Sequence, residues 1–177
     1  MLFVFLKKVI KDGVERRGRR KMHSRIFQLS KKPIPSDEYL EESFFYDHWF
    51  TQEIADYVDG DTNRQCDMEW LTSQKAGISI ENDDVGDFLI IKDREKYFAK
   101  AFTRFKKSFE DVEKQISQEE FASASMAGPI WQLGNCYNEQ FGFYAVLDGD
   151  VTTFDSFVRN ADVDEKHYIG ATLDYHF

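Results

Sequence analysis

The side chains able to do chemistry are few and scattered. Cys136 and His167 supply a thiol and an imidazole, with Asn160 or Asp174 available to orient the ring. In a nucleophilic mechanism the imidazole would take the thiol proton and the thiolate would attack a carbonyl. Gln132, in the run WQLGNCYNEQ, would then be the oxyanion donor. Against this, the flank of Cys136 matches no cysteine-hydrolase signature, and a lone cysteine is commonly a small buried hydrophobe. A second constellation is His48 with Asp47, Glu53 and Asp56. Residues three or four apart share a helical face, but His48 and Glu53 are five apart. The acidic residues there equally suit the positive end of a helix dipole. None of the four histidines, His23, His48, His167 and His176, has a second His or Cys at helical ligand spacing, so neither a metal site nor a cofactor is expected. No glycine-rich phosphate loop, nucleophile-elbow serine or zincin helix is present in the sequence.

Binding surfaces are the other possibility. Lys96, Lys100, Arg104 and Lys107 follow one another at spacings of 4, 4 and 3. They form a basic strip that would take an anion, a nucleic-acid phosphate or an acidic partner. The competing explanation is a solvated face neutralised by Glu110, Asp111, Glu113 and the loop acids Asp83 and Asp84.

Charge divides the chain. Residues 1–21 hold eight Lys and Arg against two acids, a formal +6 that leaves −15 to residues 22–177 of a chain whose total is −9. The apolar MLFVFL precedes the basic residues, the reverse of a secretory signal, and falls far short of the roughly 20 apolar residues of a membrane span. A basic arm for nucleic acid would release counterions, yet it would hang from an acidic body that phosphates repel. Arg-Arg pairs ahead of Met22 also fit a purine-rich ribosome-binding sequence translated in frame, with the protein starting at Met22. On either basis residues 1–22 are expected to be a basic N-terminal extension outside the fold. The acidic remainder admits a surface that imitates nucleic-acid phosphate, although net negative charge also serves solubility.

The elements that must position these groups occupy residues 23–177. With 177 residues, 42% hydrophobic and 16% aromatic, the chain can close one core. The two unpaired cysteines and the absence of a framework of cysteine spacings point to a reducing cytoplasm. A strand is expected over 24–30, ending before Pro33. A short helix or turn follows at 36–43, and a helix over 51–59 capped by Thr51 and stopped by Gly60. A hairpin joins 78–80 to 88–91 through the turn residues 82–86. Phe98, Phe102, Phe105, Phe109 and Val112 recur at helical offsets, predicting a long helix with a phenylalanine face after Asp93. A helix near 118–126 comes next; 130–141 reads as a further helix, with a strand over 130–136 as its rival. A strand at 143–147, a turn at 148–150 and a short helix from Thr153 follow. The alternation of HYIGATLDYHF predicts a last strand with Ile169, Ala171, Leu173 and Tyr175 on core and Tyr168, Thr172, Asp174 and His176 in water.

These elements imply an α+β domain: an antiparallel or mixed sheet of about five strands with helices packed mainly on one face. Function is not written in any motif. The expectation is a small acidic cytoplasmic protein that binds or regulates a protein partner, of the kind carried by phage or mobile elements. Nucleic acid would enter only through the basic extension. The alternative is a small enzyme using Cys136 with His167, or His48 with its carboxylates.

Overall fold

The computed structural model describes residues 22–177; all but Met22 of the expected basic extension lies outside the described residues. The strands are β1 (His23–Ser30), β2 (Tyr57–Asp59), β3 (Ile78–Asp83), β4 (Gly86–Ile91), β5 (Tyr144–Leu147), β6 (Asp150–Thr153) and β7 (Lys166–His176). The helices are α1 (Trp49–Glu53), α2 (Arg64–Gln74), α3 (Arg94–Gln115), α4 (Gln118–Ala122), α5 (Ala127–Tyr137) and α6 (Phe154–Asn160).

The first and last strands form the centre of one mixed sheet, ordered β3-β4-β7-β1-β5-β6, with β2 also pairing β7. Between β1 and β7 the pairing is antiparallel: His23 faces His176, Arg25 faces Asp174 and Phe27 faces Thr172, with a register shift before Leu29 meets Ile169. β5 runs parallel to β1, which makes the sheet mixed and confirms the α+β class. Seven strands replace the five expected. The two additions are short. β6 returns from β5 through Asp148-Gly149, both at positive φ, the backbone a two-residue hairpin needs to match strand twist.

Correction of the expected helix over 51–59 exposes the other addition. His48 Nδ1 accepts from Phe50 N at 3.1 Å, so the helix starts two residues early. It then ends at Glu53, because Asp56 N donates to His176 O and draws the chain onto the free edge of β7 as β2. Gly60 therefore follows a strand, not a helix.

Both faces of the sheet are covered. On one, Phe27, Leu29, Leu89, Ile91 and Ile169 pack against Met68 and Leu71 of α2, Tyr97 of α3 and Phe154, Phe157 and Val158 of α6. On the other, Ile26, Tyr144, Leu173 and Tyr175 meet Phe45, Phe50 and Val58. Phe50 lies edge-on to Tyr144 and Tyr175, with centroids 4.7 and 5.1 Å away, a geometry worth about 0.5–1.5 kcal/mol per pair beyond area. Helices thus dominate one face, while 3-10 turns and α1 close the other. Burial on both sides also corrects the picture of β7 as half in water: Thr172 and His176 are buried.

Residues 130–136 are helical, within α5, which packs along α3. The seam is not the expected phenylalanine face. The partly buried residues Phe98, Ala101, Phe105, Ser108 and Val112 alternate at three and four, the period of two helices wound together. Phe102 and Phe109 fall outside it and are 62% and 52% exposed. Only Tyr97 of α3 is buried in the body.

Candidate functional site

The polar alternation of β1 and β7 places a set of titratable side chains on one face of the sheet. Cross-strand neighbours share a face, so pairing sets His23 beside His176 and Arg25 beside Asp174, while Tyr57 of β2 flanks His176 from the other side. Asp174 Oδ2 accepts from His23 Nδ1 at 2.8 Å and lies 3.2 Å from His176 Nε2. Its Oδ1 takes a short bond from Arg25 Nη1. Tyr57 stacks on His176 and brings its hydroxyl to 2.9 Å from Nε2.

Behind this row lies a second carboxylate. Arg25 Nε donates to Asp67 Oδ1 at 2.5 Å, and Thr172 Oγ1 donates to Asp67 Oδ2 at 2.7 Å. Asp67 sits on α2 with its side chain only 4% exposed; burial of a carboxylate this deep requires such partners. Thr62 Oγ1 in turn reaches Thr172 O at 3.0 Å, so the loop before α2 is tied to the same strand. His23, its side chain 44% exposed, and Tyr57, 41% exposed, open to solvent. His23, Asp174 and His176 offer three ligand atoms within 4.8 Å of one another.

Comparison with known protein families, with characterised protein sequences and with solved structures finds no match.

The residues singled out in the sequence have other surroundings. Cys136 lies on α5 with its Sγ 3.7 Å from Ser108 Oγ of α3. His167 is buried within β7, with Phe157 edge-on at 5.0 Å and Glu165 Oε2 at 3.7 Å from its Nε2. The contacts described for Cys136 and for His167 involve different residues. Asn160 Nδ2 donates to Ser156 O within α6. His48 is the cap of α1, ringed by Phe44, Phe45 and Trp49.

Lys96, Lys100, Arg104 and Lys107 are all exposed along α3. The same arm carries Phe102, Phe109, Ile116, Phe121 and Ile130, each more than half exposed. An open cleft of about 400 Å³ runs between α3 and α5, lined by Ser108, Asp111, Gln115, Pro129, Trp131 and Gln132. Among the described residues no helix is long and apolar enough to cross a membrane.

Sequence reasoning missed the β1–β7 cluster because His23 and His176 lie at opposite ends of the described chain. The available signal was two-residue spacing on both strands: His23 with Arg25, and Asp174 with His176, whose opposite charges pair in antiparallel register.

Proposed function

We propose that the chain is a cytoplasmic protein-binding module, and that its α3–α5 arm is the contact surface. The partner is a protein that presents an apolar surface to Phe102 and Phe109 and acidic groups to the basic side of α3. The observation carrying this reading is the pair Phe102 and Phe109, seven residues apart on one helix and both more than half exposed. Two large aromatics at that spacing form a ridge of the kind that receives an amphipathic helix. Isolated exposed hydrophobics need no explanation, but five on one arm form an apolar surface larger than solubility favours. The lysine and arginine strip occupies the opposite side of the same helix, in a sequence segment of charge −15, so an acidic partner is drawn to this part of the chain. The same net charge disfavours nucleic acid, whose phosphates would find positive charge chiefly in residues 1–21.

The test is capture from the native host with the full chain as bait, in wild type, in Phe102→Ala/Phe109→Ala and in Lys100→Glu/Arg104→Glu. Loss of one protein from both variants, with unchanged circular dichroism, and its cross-linking to α3, is the expected result. Capture unaffected by either pair of substitutions overturns the reading.

A further inference from the structure

We propose that His23 Nδ1, His176 Nε2 and Asp174 Oδ2 form a binding site for a divalent transition metal of the zinc class. This site is independent of the helical arm and of any partner docking there.

The donor set comes first. Two imidazoles and one carboxylate are the ligands that zinc and its neighbours prefer, whereas calcium and magnesium take oxygen. Spacing agrees. Ligand atoms at about 2.1 Å from a tetrahedral metal stand about 3.4 Å apart. Here Asp174 Oδ2 is 2.8 and 3.2 Å from the two ring nitrogens, and all three atoms lie within 4.8 Å. Small rotations of the exposed His23 ring are enough to open the triangle around an ion.

Placement adds precision. The three ligands stand on the two central strands, in register, and ligands on paired strands keep their geometry better than ligands on loops. Metal-binding carboxylates and imidazoles are oriented by further hydrogen bonds. Asp174 has one in Arg25, itself locked by Asp67 and Thr172, while the ring of His176 is stacked against Tyr57. The charges also suit a cation. Arg25 pairs with both Asp67 and Asp174, so the three groups keep one net negative charge to meet the ion.

In the metal-free state His23 Nδ1 is hydrogen-bonded to Asp174 and His176 Nε2 to the Tyr57 hydroxyl. A metal takes the lone pair of both nitrogens, each neutral ring carrying its proton on the other nitrogen. The solvent-facing side of His23 leaves the fourth position to water, with the Tyr57 hydroxyl close enough to His176 Nε2 to bond that water. Three protein ligands with an open fourth position are the arrangement in which zinc lowers the pKa of bound water. A bound ion would also fasten the start of β1 to the end of β7.

The experiment titrates the full chain, freed of metal by chelator, with zinc chloride alone by calorimetry. Cobalt absorption serves as a reporter of tetrahedral geometry. The expected result is one equivalent bound and a melting temperature raised by zinc. In His23→Ala, whose position is exposed and whose fold is retained, affinity falls at least about ten-fold and the zinc-dependent rise in melting temperature is lost. Asp174→Asn, which keeps size but replaces one accepting oxygen with an NH2 group, weakens binding likewise. No binding at one equivalent, or binding equal in wild type, His23→Ala and Asp174→Asn, overturns the proposal.

Discussion

Arg25 and Asp67 join the central sheet to α2: the guanidinium Nε lies 2.5 Å from the carboxylate, with Trp70 of the same helix 5.2 Å from the guanidinium carbon. The sheet face is polar at this end, so α2 cannot be held there by hydrophobic contact alone. The ion pair takes over where Met68 and Leu71 leave off.

Removing one member of a buried pair leaves the other without compensation and costs about 3–5 kcal/mol. Asp67→Asn is expected at the low end, about 3 kcal/mol in urea unfolding, because Asp174 still holds Arg25. Arg25→Met should cost more, since Asp67 and Asp174 would then face each other without a cation. The reverse order of destabilisation would remove Arg25 from the centre of this network.

The seam between α3 and α5 makes a second, sharper division. Phe105 is partly buried and meets Tyr137 at 6.3 Å between centroids, whereas Phe102 is mostly exposed and Phe109 touches the seam through its stack on Phe105. Phe105→Ala should destabilise by about 1–2 kcal/mol as its buried area is lost. Phe102→Ala and Phe109→Ala should each stay within about 0.5 kcal/mol. Chemical denaturation of the three single variants checks this, and a large loss at Phe102 would place it in the fold, not on a contact surface.

Gly77 is where α2 gives way to the β3–β4 hairpin. Its φ is +74°, and a Cβ there would stand 2.1 Å from Asp93 O. The backbone cannot slide aside, because Gly77 O accepts from both Lys92 N and Asp93 N at 2.9 Å. Gly77→Ala is therefore expected to cost well over about 1 kcal/mol, read as a lowered melting temperature. An unchanged melting temperature would show that this junction tolerates a shift.

Legibility in the sequence followed the source of order in each element. β1, β3 and β7 were readable because alternation is imposed by the sheet itself. The hairpin at 82–86 was readable from turn residues. α2 was not, because its buried face is Asp67, Met68 and Leu71, one of them an acid whose partner is far away in sequence. β2 and β6, at three and four residues, owe their existence to the neighbours they pair with, so local pattern carries little of them. On α3 the helix was correct but its inward face was not. Every fourth or third position offered a phenylalanine, and the choice between Phe102 and Ala101 for the seam was made by the helix that packs there. The polar cluster stayed hidden for the same reason: register across strands, not spacing along them, brings His23 to His176.

His167 gives the pH dependence a definite sign. Its ring is buried, neither nitrogen has a hydrogen-bond partner among the described residues, and Phe157 closes one side. Burial lowers its pKa from the ordinary value of about 6.5, opposed by the nearby Glu165 and Asp162 carboxylates and reinforced by Lys31. The unfolded chain then binds a proton at a pH where the folded chain does not. Stability from this group is complete above about pH 6.5 and is lost progressively as the pH falls toward the lowered folded value. Other acid-sensitive groups contribute to the total slope, so the informative quantity is a difference between variants. His167→Leu removes both unpartnered nitrogens and keeps apolar volume, a replacement that is nearly neutral or stabilising when a polar group lacked partners. Urea midpoints at pH 7.5 and 5.5 should therefore fall less for His167→Leu than for wild type. Equal falls would mean that this imidazole takes up its proton as readily in the folded protein as in the unfolded chain, and that the pocket beside Phe157 opens to water.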